Sequence, residues 1–201
     1  CYGSEFDVWL STDGVLFVNH DAVFKGHNVE QSSSAELSAI ILDNGEHMPT
    51  LDEYLAKAKT LKTRIVLELK AHQTKEKEAE AVAKIVEMVE KYGLTDRTEY
   101  ISFSLFACKE FKRVAPQGTD IYYLNGELSP AELKTLGFAG LDYSMGPIKK
   151  HPEWIEEAHK LGLKVNVWTI DKEADMQWLI DQKVDFITTN EPVLLQQLLR
   201  K

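Results

Sequence analysis

Two rhythms of apolar and polar positions take turns along the chain from end to end. Short runs rich in β-branched and aromatic residues predict strands at Ser4–Leu10, Arg64–Leu69, Glu99–Phe103, Asp120–Leu124, Ala139–Tyr143, Leu163–Trp168 and Val184–Thr188. Between them the spacing turns helical. Thr50-Leu51-Asp52-Glu53 reads as a capping box opening a helix over Leu51–Leu61. Lys75–Tyr92 places Ala81, Ile85, Met88 and Val89 on one face, with Gly93 just past its end. Ser129-Pro130-Ala131-Glu132 is a second cap with proline at the first helical position. Further helices are predicted at Pro152–Leu161, Lys172–Gln182 and Pro192–Leu199. Asp21–Met48 is the least patterned stretch and is read as a surface excursion.

Strands alternating with helices at this spacing predict right-handed βαβ units and a parallel sheet. Seven parallel strands suit either an open doubly wound sheet or a barrel lacking one strand, since a (β/α)8 barrel needs eight strands and typically about 250 residues. With 201 residues and a strand at its very start, the chain is expected to be a single-domain (β/α)8 TIM-type barrel over 1–201, missing its first βα unit.

Composition narrows the field without choosing a function. Hydrophobic residues are 44% and charged residues 27%, which is globular chemistry. No run approaches the roughly 18 apolar residues of a transmembrane helix. The net charge of −9 argues against generic nucleic-acid binding, because the phosphate backbone would be repelled. Two cysteines, Cys1 and Cys108, are too few for a disulfide scaffold and read as thiols. The opening at Cys1, without Met, reads as an internal position of a longer precursor.

The polar residues at strand ends carry the chemical signal, because barrel active sites collect at the C-terminal ends of the strands. Glu5 and Asp7 are two apart on a strand, so they share a face. Two carboxylates there are expensive to bury without a cation or donors. Ser11-Thr12-Asp13-Gly14 is a turn signal, followed by a strand-like run over Val15–His20. Pairing Leu10 with Val15 would set Glu5 opposite His20 and Asp7 opposite Val18. That register returns an imidazole to the carboxylate pair, a candidate for acid–base work. Glu68 and Lys70 share the same spacing at another strand end. They could simply pair with each other. A third carboxylate at the same rim would instead complete an all-oxygen site for one hard divalent cation, Ca²⁺ or Mg²⁺, with Lys70 holding an anionic oxygen beside it.

These residues sit in segments that resemble the glycerophosphodiester phosphodiesterases. The matching pieces are Glu5-Phe6-Asp7-Val8, Thr12-Asp13-Gly14, Val18-Asn19-His20-Asp21, Met48-Pro49-Thr50-Leu51-Asp52-Glu53, Leu67-Glu68-Leu69-Lys70, Val167-Trp168-Thr169-Ile170 and the run from Val184 to Pro192. They stand in the family's order and span nearly the whole chain. The resemblance implies a barrel hydrolase that splits a small-molecule glycerophosphodiester into glycerol 3-phosphate and an alcohol. It implies Glu5, Asp7 and Glu68 as metal ligands and His20 as one of two catalytic histidines. It implies Lys70 as a phosphate contact and Trp168 as a pocket wall on the glycerol side.

Two departures stand out. The family's His-Arg-Gly motif, which should precede Glu5 and supply the second histidine, is not in this chain, and Asn190 stands where the family usually has Asp. The expectation is that about 30 residues, one βα unit, lie upstream. Without them the exposed strand edges would favour pairing with another copy of the chain, a homo-oligomer, and the 201-residue chain would be inactive. Rival readings are a phospholipase of the same superfamily acting on lipid headgroups, a glycosidase using paired carboxylates, and a non-catalytic binding module. Neither a basic patch nor an exposed apolar helix supports the phospholipase. The glycosidase has no need of Lys70.

Overall fold

The computed structural model describes residues Cys1–Arg200. The chain folds as two compact units, Cys1–Asp120 and the part from Ile121 onward.

The first unit holds strands β1 (Gly3–Leu10), β2 (Leu16–Val18), β3 (Val23–Phe24), β4 (His27–Asn28), β5 (Arg64–Leu69) and β6 (Thr98–Ser102). Its helices are α1 (Ser34–Ser38), α2 (Leu51–Ala58), α3 (Lys75–Lys91) and α4 (Leu105–Val114). The main sheet runs β2-β1-β5-β6. β1, β5 and β6 are parallel, and β2 lies antiparallel on β1. A parallel strand needs a crossover, and α3 supplies it between β5 and β6. Ala81, Val82, Ile85, Val86 and Val89 form its buried stripe. Thr74 caps the start of α3 by accepting the Lys77 N–H.

The expected helix from Leu51 is shorter than its pattern suggested. It opens on the predicted capping box, the Thr50 N–H donating to Glu53 and the Glu53 N–H to the Thr50 hydroxyl. It stops at Ala58 as the ladder tightens, the Thr60 and Leu61 N–H groups donating three residues back to the Lys57 and Ala58 carbonyls, and the Arg97 guanidinium covers the carbonyls of Ala58 and Leu61.

The segment from Asp21 to Met48 is not a loose excursion. It contains the β3–β4 hairpin and α1, and it closes over a core of its own. Val29, Leu37, Ile40 and Met48 pack with Trp9 and Phe17 from the β1–β2 hairpin, all buried. At the tip of that hairpin Gly14 has φ +81°, and a Cβ there would collide with the Lys84 ammonium, which donates to the Gly14 carbonyl.

The second unit holds β7 (Ile121–Tyr123), β8 (Gly140–Ser144), β9 (Lys164–Trp168) and β10 (Phe186–Ile187) in that order, all parallel. Its helices are α5 (Pro130–Leu136), α6 (Met145–Lys150), α7 (Glu153–Lys160), α8 (Glu173–Asp181) and α9 (Pro192–Leu198). Ser129 and Glu132 form the predicted capping box of α5. Gly140 is required by close approach, since a Cβ on it would strike the backbone of Lys164 on the neighbouring strand. The last strand is shorter than expected. Lys183 has φ +61°, which delays the extended run, and the Asp185 carboxylate takes the Val165 N–H. Each of the seven expected strands is thus present, three of them parallel in the first unit and four in the second.

Candidate active site

On neighbouring positions of β1 and β5, and just past the end of β5, the first unit gathers four charged side chains: Glu5, Asp7, Glu68 and Lys70. The parallel register pairs Glu5 with Val66, Asp7 with Glu68 and Val8 with Leu69. Residues paired side by side on a sheet point the same way, so Asp7 and Glu68 stand shoulder to shoulder, with Glu5 one pleat behind Asp7. Ligand oxygens of Glu5, Asp7 and Glu68 lie within 4.8 Å of one another. The structure therefore brings together the three carboxylates that the sequence singled out.

Lys70 stands between two of them. Its ammonium is 2.9 Å from Asp7 Oδ1 and 2.9 Å from Glu68 Oε1. Asp7 and Glu68 are both buried, at 9% and 7% exposure. Burial pushes the Glu68 carboxyl above its ordinary range, against the pull of the Lys70 charge, while Asp7 adds to the rise. Burial works against the Lys70 charge too, but the Asp7 hydrogen bond and the Glu68 charge outweigh it, and its pKa lies above the usual value. Glu68 Oε1 has the ammonium at ion-pair distance but no well-directed donor. A buried carboxylate oxygen of that kind suits a cation, and three hard oxygen donors at this spacing suit Ca²⁺ or Mg²⁺. The residues present fit such an ion.

His20 is not where the predicted hairpin register put it. The observed pairs are Val8 with Val18, Trp9 with Phe17 and Leu10 with Leu16, one residue away from expectation. The cause lies in the turn. The Ser11 N–H bonds to the Val15 carbonyl and the Ser11 hydroxyl takes the Val15 N–H, so Val15 belongs to the loop and not to the strand. Glu5 is therefore not opposite His20, nor Asp7 opposite Val18. The Asp7 carbonyl instead accepts the Asn19 N–H.

A one-residue slip would turn a strand residue to the other face. His20 escapes that constraint because β2 ends at Val18. Its side chain is 77% exposed, with Nδ1 2.8 Å from Asp21 Oδ1. It remains near enough that, when protonated, it would oppose the rise of the Glu68 pKa. Asp21 lies in the family-like segment Val18-Asn19-His20-Asp21, but the sequence assigned it no role of its own.

In the second unit Trp168 ends β9, half-buried, and its indole N–H donates to the Asp142 carbonyl. Asn190, the departure from the family pattern, is held by Asp171. Its backbone and side-chain N–H groups donate to the two Asp171 oxygens at 2.8 and 3.0 Å, and these bonds lower the Asp171 pKa. An Asn donates where an Asp could not, so here the carboxylate resides on residue 171.

Comparisons with known proteins agree along the chain. Residues 3–194 match the model of the glycerophosphoryl diester phosphodiesterase family. A glycerophosphodiester phosphodiesterase of Caldanaerobacter subterraneus is 27% identical over 99% of this chain and 86% of its own length. The crystal structure of a glycerophosphodiester phosphodiesterase from Parabacteroides distasonis is 47% identical, with a TM-score of 0.97 over 100% of this chain and 84% of that one. An Oleispira antarctica phosphodiesterase, solved with the product sn-glycerol-3-phosphate, shares the fold at a TM-score of 0.82 and 24% identity, covering 98% of this chain and 84% of that one. The fold class is accordingly α/β, of the TIM-barrel-like type.

Proposed function

The chain belongs to the glycerophosphoryl diester phosphodiesterase family, and on that premise we propose that it hydrolyses glycerophosphodiesters to glycerol 3-phosphate and an alcohol with one divalent cation, Ca²⁺ or Mg²⁺. The observation that carries the reading is the convergence of Glu5, Asp7 and Glu68 within 4.8 Å, with Lys70 among them. Glu5, Asp7 and Glu68 are the proposed ligands of the cation. When bound, the ion supplies a Lewis acid that polarises phosphoryl oxygens and offsets charge in the transition state.

Water attacks phosphorus, losing a proton to solvent, as the bond to the alcohol oxygen breaks, and the chain's own groups serve the phosphate and the leaving oxygen. Lys70 offers a fixed ammonium to a non-bridging phosphate oxygen, since its positive charge is secured by two carboxylates. His20 gives a proton to the departing alkoxide. Its Nδ1–H is taken up by Asp21, which leaves Nε2 as the working nitrogen. For Trp168 the family resemblance alone implies a contact on the glycerol side of the substrate. The bound product of the Oleispira enzyme supports glycerol 3-phosphate as the released phosphoester.

The test is hydrolysis of glycerophosphocholine by the full-length protein, followed by release of glycerol 3-phosphate and choline, with Mg²⁺, with Ca²⁺ and with a chelator. Turnover that needs one of the ions, and is lost in the chelator, is the expected result. Turnover that survives the chelator removes the cation from the reading. Cleavage of an aryl glycoside in place of the phosphodiester overturns it altogether.

A further inference from the structure

The ladder between β1 and β5 ends in an irregular way, just beyond the carboxylates. Lys70 N–H donates to the Val8 carbonyl at 3.1 Å, as a parallel ladder requires. The next rung of such a ladder would run from the Leu10 N–H to the Lys70 carbonyl. An imidazole stands there instead. The Leu10 N–H donates to His72 Nε2 at 3.0 Å, and His72 Nδ1 lies 2.7 Å from the Lys70 carbonyl oxygen.

These two partners settle the tautomer. A carbonyl oxygen only accepts and a backbone N–H only donates, so the ring carries its proton on Nδ1 and a lone pair on Nε2. Burial, which holds the His72 pKa below its usual value, keeps the ring in that neutral form.

The ring is itself held from several sides. The His72 N–H donates to Glu78 Oε1 and the Gln73 N–H to Glu30 Oε1, at 3.1 and 3.0 Å. Both carboxylates are buried. Glu78 also takes the Ser104 hydroxyl at 2.7 Å, and the Lys77 ammonium binds the Glu30 carbonyl at 2.9 Å. The Trp9 ring lies 5.3 Å from the imidazole, tilted by 56°. A bridge built this rigidly exceeds what a surface loop needs. It spreads the two strand ends by the width of an imidazole and grips the carbonyl of Lys70, the residue whose side chain reaches back between Asp7 and Glu68.

We propose that His72 is a positioning residue of the cation and phosphate site: its imidazole replaces one rung of the β1–β5 ladder and fixes the main chain from which Lys70 meets Asp7 and Glu68. The role rests on the functional reading above, whereas the bridge rests on the hydrogen bonds alone. A side-chain amide also carries an N–H and a C=O and can rebuild both bonds, whereas a phenyl ring of similar size can rebuild neither.

The test uses the full-length protein as wild type, His72→Phe and His72→Gln. Two-bond ¹⁵N–¹H correlation spectra of the wild type read the tautomer without any ion or substrate. Calorimetric titration with Mg²⁺ reads the site, and kcat and KM for glycerophosphocholine are measured separately. Expected are a neutral Nδ1–H ring and a loss of roughly 10- to 100-fold in Mg²⁺ affinity and kcat for the Phe variant, as for other residues that orient metal ligands. The Gln variant should recover most of that loss. An imidazolium or an Nε2–H ring overturns the bridge whether or not either variant folds. Wild-type Mg²⁺ affinity and kcat in the Phe variant, or equal losses in both variants, overturn the positioning role. A wild type that neither binds Mg²⁺ nor cleaves the diester overturns the functional reading and, with it, the role at the site, but leaves the tautomer result standing.

Discussion

The strand ends of the first unit and the strand interiors of the second both bury carboxylates, and they treat them in opposite ways. On β8 the buried Asp142 accepts the Asn166 amide of β9 at 2.7 Å, and that amide also donates to the Thr188 hydroxyl just past β10. The Thr188 hydroxyl returns a longer bond to the Asn166 oxygen. It is a network of directed hydrogen bonds running across three strands. On β1 and β5, by contrast, Asp7 and Glu68 are crowded with Glu5 and share one ammonium, and the Glu68 pKa is raised by burial. A buried polar group is tolerated when its partners are directed and sufficient. The Asp142 network of the second unit serves stability. The Asp7–Glu68 cluster of the first unit keeps electrostatic strain at the place where a cation and a phosphate would relieve it, as functional sites commonly do.

The largest effects should come from breaking the strained side of this contrast. Asp7→Asn or Glu68→Gln removes a proposed ligand and one of the crowded charges together. Turnover should fall by about 10² to 10³-fold or more, the scale of a lost electrostatic stabiliser. The melting temperature of Glu68→Gln without added ion should hold or rise, because the raised pKa of the Glu68 carboxyl marks charge that burial disfavours. Thermal melts beside kinetics check both halves. A variant that loses stability and activity in parallel would place these carboxylates with Asp142 as structural groups.

His20→Ala should follow, with a loss of about 10² to 10⁴-fold, the range for a general acid. Its exposure predicts that folding is unchanged. The loss should shrink on a nitrophenyl ester, whose leaving group needs little protonation. Equal losses on both substrates would move His20 out of the proton-transfer step.

The two regions were unequally legible in the sequence. Glu5, Asp7, Glu68 and Lys70 could be read because strand parity is strict. Residues two apart share a face, and only the pairing of β1 with β5 remained to be found. Caps at Thr50 and Ser129 are equally local and were found as expected. The hairpin register was lost by one residue because it depends on the bonds of a single hydroxyl, Ser11. The core under the Asp21–Met48 segment was hidden for another reason. Val29, Leu37, Ile40 and Met48 follow no period, and they pack against Trp9 and Phe17, which are distant in sequence. His72 could not be read as part of the site, since its role exists only where two strands stop pairing.

A smaller effect should come from the satisfied side. Asn166→Ala takes away the amide that serves Asp142 and Thr188. Leaving a buried acceptor short of its donor costs about 1 to 3 kcal/mol. Chemical denaturation should show that loss, while Mg²⁺ affinity changes far less than in Glu68→Gln. A large fall in Mg²⁺ affinity with little loss of stability would erase the contrast between the two regions.

The smallest effect belongs to a carboxylate that resembles Asp142 in its bonding but lies exposed on the first unit. Asp13, in the β1–β2 turn, takes the Ser34 hydroxyl and N–H and the Ser11 hydroxyl, at 2.6 to 2.9 Å. These bonds, the Ser34 hydroxyl first, lower its pKa from 3.8 to about 2. They tie the hairpin turn to the start of α1. A folded-state pKa below the unfolded one means that the unfolded chain binds the proton more readily. The tie therefore contributes fully above about pH 4, and its contribution is lost as pH falls through 3.8 toward about 2. Solvent exposure keeps the effect small. Asp13→Asn cannot ionise, so its stability relative to wild type should be lower by a constant amount above pH 4 and should converge on wild type near pH 2. Hydrogen exchange at the Leu37 amide, which closes α1 onto the Ser33 carbonyl, reads the tie locally where global melts are insensitive. A difference that stays constant down to pH 2 would show that Asp13 bonds equally well when protonated, and that ionisation does nothing for this turn.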